Sequence, residues 1–416
     1  MAYNISIYHE TRHKKNNDKF SVKIRVYNKQ ENVKKVRYFT TGIDLTIEEF
    51  ETIWINPENK KLRGNNRELE LKLKAIEKRA NDEASDMSVF NFSKFESKLF
   101  RKSTDKNNIK HHFNLAIDKH IKNEKLSTAE SYKYTLNSLK TFSELKNNCS
   151  IDKLSFNEIT VDWLKDYEKF MISKGKSFTT IGVYTRTLRA VFNIAIEEND
   201  INKDIYPFGK NKYKIPRTKK VKKALNAIQL KTLFDAKTKT ANEQKAKDFW
   251  FFSFSCYGMN IKDIALLKYS DFKNDSFSYY RSKTFDRTAE KRLISVHLTD
   301  FTKDIISKYG NKDKTGFVFS ILSMNDSIDA KKRKYKNFTR YVNDHIKRIA
   351  KENKLPDDIS TNWARHSFAT QSIRKGNSME LTSQLLDHSD LPTTQIYFAG
   401  FSDEIIKEFT NSLLDF

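Results

Sequence analysis

The sequence predicts a multidomain protein, mainly α-helical with small β elements. A small N-terminal sheet with a helix comes first, a helical middle domain follows, and a mixed α/β domain ends the chain. Three observations predict this. The chain has 416 residues, enough for two or three domains of about 150 residues each. Its apolar residues alternate in the first forty positions, then recur at helical spacing from about residue 108. An acid-free stretch, Gly209 to Lys223, carries eight Lys or Arg in fifteen residues and divides the helical part from the last part. The expected boundaries are therefore 1–90, 108–208, a basic linker over 209–223, and 224–416.

The first region reads as strands. In the run from Ser21 to Tyr27, Val22, Ile24 and Val26 alternate with Lys23 and Arg25, giving one apolar and one basic face. Ile5 and Ile7 suggest a strand before it. Val36 to Phe39, including Arg37, suggests one after it that ends near Gly42. Leu69, Leu73, Ile76 and Ala80 then form the stripe of a helix over about 65–81. Lys23, Arg25 and Arg37 are the candidate nucleic-acid contacts here; an ordinary α+β domain with a solvated face is the plainer alternative.

The middle region is helical. One helix opens at Thr128 and runs through Leu136, Leu139 and Phe142. Thr160 caps a second through Trp163, Tyr167 and Phe170, and Ser177 leads into a third carrying Val183, Leu188, Val191 and Ile194. Arg186 and Arg189, three apart, mark a basic surface on that last helix. In the linker, where like charges repel, Lys219 and Lys220 belong either to a solvated tether or to a strand along a phosphate backbone. The final region adds a hairpin, Phe277–Arg281 against Leu293–His297, with Lys283, Arg287, Lys291 and Arg292 between its strands.

Composition narrows the function. There are 77 Lys+Arg against 53 Asp+Glu, a net charge of +24, and residues 211–416 alone hold 38 basic against 24 acidic residues. Such an excess favours a polyanionic partner. Two distant cysteines exclude a disulfide framework and a Cys-based zinc site, and ten glycines form neither a dinucleotide fingerprint nor a P-loop. The N-terminus lacks a signal-peptide core, and the longest apolar stretch, Phe249 to Met259, is too short to span a membrane. A cytoplasmic, nucleoid-associated protein is expected.

Three motifs stand close together: Ala364-Arg365-His366-Ser367-Phe368-Ala369-Thr370, then Leu385-Leu386-Asp387-His388-Ser389, then Thr393-Thr394-Gln395-Ile396-Tyr397. In order and spacing they resemble the catalytic boxes of the tyrosine recombinases, the phage integrase family. The resemblance implies an arm-type DNA-binding-like domain, a helical core-binding domain and a mixed α/β tyrosine-recombinase catalytic domain. It implies Tyr397 as the nucleophile that forms a 3′-phosphotyrosyl ester, a linkage that stores the bond energy so that neither metal nor cofactor is required. Arg365, whose planar fork grips two oxygens, is implied on the scissile phosphate. His388 is implied as a hydrogen-bond partner of the phosphate or the attacking phenol, and Lys283, with Lys291 as its rival, as proton donor to the leaving oxygen. His366 is read as a packing residue.

Two positions depart from the family pattern. Asn260 stands where an arginine is expected after Gly258-Met259, and Asn362 where a histidine is expected three residues before Arg365. Asn brings no positive charge and cannot act as a base. Losing one charged phosphate contact costs roughly 2.7–4 kcal/mol, by analogy with an oxyanion donor. Arg281, or else Lys262 or Arg287, is the expected substitute cation. The implied partners are double-stranded DNA attachment sites, copies of the chain itself in a DNA-bound tetramer, and accessory DNA-bending proteins. A site-specific recombinase that integrates or excises a mobile element is the leading reading. A type IB topoisomerase shares the chemistry but fits the N-terminal region less well, and a catalytically weak or silent DNA-binding protein is the rival. A stripe of Ile405, Ile406, Phe409, Leu413 and Leu414 after the nucleophile packs either on its own domain or on a neighbour.

Overall fold

The computed structural model describes residues 3–30, 33–56, 62–87, 89–101, 105–147, 149–217, 223–285, 291–388, 391–395 and 403–413. The chain forms two compact units, residues 1–217 and 218–416.

In the first unit, strands β1 (Tyr3–Lys14), β2 (Phe20–Gln30) and β3 (Val33–Leu45) make an antiparallel sheet in that order. The register sets Ile7 beside Ile24 and Ile24 beside Phe39. With Val22 and Val26 they form the buried face, as the alternation requires. Lys23 and Arg25 lie on the other face with Tyr8 and Tyr38, whose rings are 5.0 Å apart. Arg37 does not join them. It pairs with Val26, which sets it on the opposite face of the sheet, where it stays exposed with its guanidinium 5.2 Å from the centre of the Phe92 ring. Strand β3 also continues past Gly42 to Leu45. A bulge opposite Ser21–Lys23 absorbs Gly42 at φ +75°, a conformation that suits glycine.

Helices α1 (Ile47–Phe50), α2 (Gly64–Ser85) and α3 (Phe92–Leu99) follow. Leu73 and Ala80 of α2 pack under the sheet with Phe95 of α3. Four helices then form the middle domain: α4 (Ile109–Lys122), α5 (Leu126–Asn147), α6 (Val161–Ser173) and α7 (Phe178–Glu197). Thr160 accepts from the Trp163 amide and Ser177 from the Thr180 amide, so both expected caps form. Phe113, Phe142, Phe156, Tyr167 and Phe192 fill the core between these helices.

Part of the basic stretch is not a free tether. Tyr213 is buried and its hydroxyl donates to Glu168 at 2.6 Å. Gly182 of α7 sits against the Pro216 carbonyl, where a Cβ would come to 2.7 Å. Residues 209–217 therefore pack on the helical domain, because an aromatic side chain and a glycine-lined surface outweigh the repulsion of the flanking lysines. Lys219 and Lys220 lie outside the described residues.

A buried charge cluster joins α3 to the end of α7. Arg101 donates two hydrogen bonds to Asp200, at 2.5 and 2.8 Å. The Lys98 ammonium donates to the Glu198 carbonyl at 2.6 Å, and His112 lies 3.5 Å from the Asp200 carboxylate. His112, Glu198 and Asp200 could offer three ligand atoms to a metal, but the Arg101 cation already neutralises Asp200.

The second unit contains α8 (Ala227–Asp235), α9 (Ala241–Ser255), α10 (Ile261–Leu266), a sheet of β4 (Phe272–Lys273), β5 (Ser276–Tyr279) and β6 (Ile294–His297), then α11 (Asp300–Tyr309), α12 (Ile328–Glu352), α13 (Thr361–Arg374), α14 (Met379–Leu385), α15 (Leu391–Gln395) and α16 (Asp403–Ser412). The hairpin pairs Ser276 with His297 and Tyr279 with Ile294. Strand β5 stops two residues before Arg281, because the Arg281 carbonyl accepts from the Thr284 and Phe285 amides and turns the chain. Phe249, Trp250 and Phe252 bury α9 in the core, and the Trp250 indole donates to the Ser360 carbonyl just before α13.

Candidate active site

The site is built on α13, which is buried on most of its circumference. Arg365 on this helix is only 8% exposed. Its guanidinium donates to the Gly258 carbonyl at 3.2 Å, to the Leu386 carbonyl, and to His388 Nε2 at 3.2 Å. Guanidinium only donates, so Nε2 is the accepting nitrogen and the imidazole proton sits on Nδ1. Nδ1 in turn lies 2.9 Å from the hydroxyl of Thr394. Thr394 is fully buried, and this contact orients the ring.

The approach of α9 to α13 depends on one glycine. Tyr257 and Gly258 both have left-handed backbones, φ +58° and +69°, turning the chain sharply at the end of α9. A Cβ on Gly258 would stand 2.6 Å from the Arg365 Cα. Two residues on, Asn260 caps α10 by accepting from the Lys262 amide at 2.9 Å. It is exposed, and its side-chain oxygen is thus occupied by helix capping.

Lys283 occupies the turn after β5 and is exposed. Its neighbours anchor that turn. The Ser282 amide and hydroxyl both donate to the buried Asp263 carboxylate, at 3.1 and 2.5 Å, and the Thr284 hydroxyl donates to Asp387 at 2.6 Å. Burial raises the Asp263 pKa above its ordinary value, opposed by the Ser282 hydrogen bonds and the cations Arg281 and Lys262. Arg281, Lys291, Arg292, Thr284, Tyr280, Phe285 and Asp387 line one small cleft. Lys291 lies 3.9 Å above the Phe285 ring, and Lys262 5.8 Å from the centre of the Tyr335 ring.

The structure therefore brings together Arg365 and His388, and places Lys283 and Arg281 on the turn tied to their loop. Asn362 is exposed on α13. Arg186 and Arg189 are exposed on α7, while Arg287 and Tyr397 lie outside the described residues. Sequence reasoning missed Asp263, Asp387 and Thr394 as supports; the nearest signal for Thr394 was its place within the third motif. It also missed α12, whose Arg333, Lys336, Arg340, Lys347 and Lys351 lie exposed along one face at helical spacing.

Comparison with known proteins decides the family. Residues 108–215 match the phage integrase SAM-like domain and residues 223–403 match the phage integrase family. The chain belongs to the phage integrase family of tyrosine recombinases. It is 22% identical to the tyrosine recombinase XerD of Rickettsia bellii over 263 residues, 61% of this chain and 84% of that protein. It is 24% identical to XerD of Oceanobacillus iheyensis over 289 residues, 65% and 86% of the two chains. In fold it is similar to the Tn1549 transposon integrase in complex with a circular intermediate DNA, with a TM-score of 0.52, 16% identity, and coverage of 74% of this recombinase and 100% of the other. No helix among its described residues is long and apolar enough to cross a membrane.

Proposed function

We propose that this recombinase cuts and rejoins duplex DNA at attachment sites of a mobile element, with Tyr397 as nucleophile. The phenol oxygen bonds to the scissile phosphorus, the bond from phosphorus to the 5′ oxygen breaks, and Lys283 gives that oxygen its proton. Arg365 stabilises charge on the non-bridging oxygens, and His388 hydrogen-bonds the phosphate or the attacking phenol. The Arg365–His388 pair carries this reading, since binding a duplex needs no buried guanidinium set against an imidazole. Lys283 is favoured over Lys291 because the residues on both sides of it are anchored, Ser282 to Asp263 and Thr284 to Asp387.

DNA is met by three domains, 1–90, 108–208 and 224–416, joined through 209–223. Lys23 and Arg25 contact an arm-type site, Arg186 and Arg189 with Lys219 and Lys220 the core site, and the basic face of α12 the same duplex. Ile406, Phe409 and Leu413 on and just after α16 are exposed, which supports docking of this tail on a neighbouring copy in a DNA-bound tetramer. Accessory bending proteins and a nucleoid location belong to the same reading.

A pool of nicked duplexes of randomised sequence tests the chemistry. The parent protein will retain a covalently attached subset, and Tyr397→Phe will retain none. A parent that binds duplex DNA yet forms no adduct would establish the silent binder, the reading that Asn260 and Asn362 favour. A second variant addresses the missing cation. Asn260→Arg will speed adduct formation, by up to the roughly 10²–10³-fold span of one oxyanion donor. It will also destabilise the protein by about 0.5–2 kcal/mol through loss of the α10 cap. An unchanged rate shows that Arg281 or Lys262 already supplies the charge, and Arg281→Ala then separates those two.

A further inference from the structure

We infer that Asp387 is a positioning residue, which with Thr284 latches the Lys283 turn onto the loop holding Arg365 and His388. The inference rests on the proposed chemistry and assigns this residue a part in it. Asp387 stands between Leu386, whose carbonyl accepts from Arg365, and His388, whose Nε2 accepts from the same group. Its backbone is left-handed, at φ +51°, a conformation that costs a non-glycine residue energy and that aspartate tolerates better than most. That conformation is accompanied by a 2.6 Å hydrogen bond from a residue 103 positions earlier in the chain.

The latch has a second side. Ser282 is held by Asp263 and Thr284 by Asp387, so the residue between them is fixed at both peptide neighbours while its own side chain stays exposed. A flexible lysine is a poor general acid unless its reach to the leaving oxygen is constrained, and misplacement by about 1 Å can cost 10²-fold in rate. The latch sets that reach relative to the phosphate-gripping pair, because one end of it lies within the loop that holds Arg365. The rival role for Asp387 is simple charge balance, since Arg281, Lys291 and Arg292 line the same cleft.

Substrate chemistry distinguishes these roles. In a duplex with sulfur replacing the bridging 5′ oxygen, the leaving group is a thiolate, which departs without a proton, so the general acid is no longer needed. The duplexes carry a sequence retained by the parent from the nicked pool. Thr284→Val and Asp387→Gly should each slow adduct formation about 10- to 100-fold on the oxygen substrate. Both should approach the parent rate on the sulfur substrate, as should Lys283→Ala. Asp387→Asn, which keeps an acceptor for Thr284, should lose less than Asp387→Gly. The double variant should be no slower than the worse single one.

Losses of equal size on both substrates would overturn the latch, as would a silent Thr284→Val beside an Asp387→Asn as slow as Asp387→Gly. A Lys283→Ala protein that sulfur does not rescue would also overturn it. A parent with no adduct on either substrate would instead overturn the proposed reaction and the latch with it.

Discussion

Gly258→Ala will destabilise the second unit by about 2–5 kcal/mol and slow adduct formation on the order of 10²-fold. Two costs combine in the stability loss. An L-residue held in the left-handed region pays roughly 1–2 kcal/mol, and forcing an extra methyl into a packed contact about 1–3 kcal/mol. The new Cβ would meet the Cα, Cγ and Cβ of Arg365 at 2.6, 2.7 and 2.8 Å, none of which is the free end of a side chain. Relief requires either moving α13, which is packed on α9, or unwinding the turn over Tyr257–Gly258. Either shift takes the Gly258 carbonyl away from the Arg365 guanidinium that it now accepts from at 3.2 Å. Catalysis suffers through displaced geometry, at the scale of a 1 Å misplacement, so the rate should fall even at temperatures where the variant is folded. Urea unfolding and single-turnover adduct formation measure the two losses. A variant with the parent's midpoint and rate would refute the close approach of these two segments.

Asp200→Ala will loosen the junction between α3 and α7 by about 3–5 kcal/mol, the cost of breaking a buried pair. The Asp200 side chain is wholly buried, and that of Arg101 is 6% exposed. Burial by itself would lower the Arg101 pKa, and the hydrogen bond and charge of Asp200, together with the charges of Glu83 and Glu198, more than reverse this. Without Asp200, the Arg101 and Lys98 cations remain in the interior, partnered only by the dipoles and charges left around them. Burial also holds the His112 pKa below its usual value, and neither protonation state of an imidazole is an anion, so His112 cannot replace the lost carboxylate charge. Amide exchange in Phe92–Leu99 should accelerate at least roughly 100-fold, since each 1.4 kcal/mol is tenfold. Replacing the pair together, Arg101→Met with Asp200→Leu, should recover most of the loss, because an apolar pair of similar volume carries no desolvation cost. If the double variant exchanges as fast as Asp200→Ala, packing around the cluster rather than charge dominates.

Much of the fold was legible because its signals are local. The alternation of Val22, Ile24 and Val26 with Lys23 and Arg25 became a strand with one buried face, since a pleated strand sends successive side chains to opposite sides. Thr160 and Ser177 became caps because a short side-chain oxygen meets the free amides of a helix start whatever lies beyond. Arg37 shows the limit. Its own strand has the right period, but its face depends on the partner, and a bulge near Gly42 sets which residues stand beside β2. Tyr213 shows another: a charge run reads as solvated until an aromatic within it finds Glu168 and a core.

The candidate site divides the same way. Arg365, His388 and the motif containing Tyr397 stand out in the sequence as residue types at set spacings, and the proposal that they form the site rests on what phosphoryl transfer needs, a nucleophile and fixed cationic donors. The sequence alone thus determined the domain classes, the charge that suits DNA and the family chemistry, all properties of residue type and short-range period. Only tertiary structure decided which groups stand against those residues. Gly258 against Arg365, Thr394 behind His388, and Asp387 reaching Thr284 across 103 residues are long-range contacts. Their partners are chosen by how helices and turns pack, and no local period records that choice.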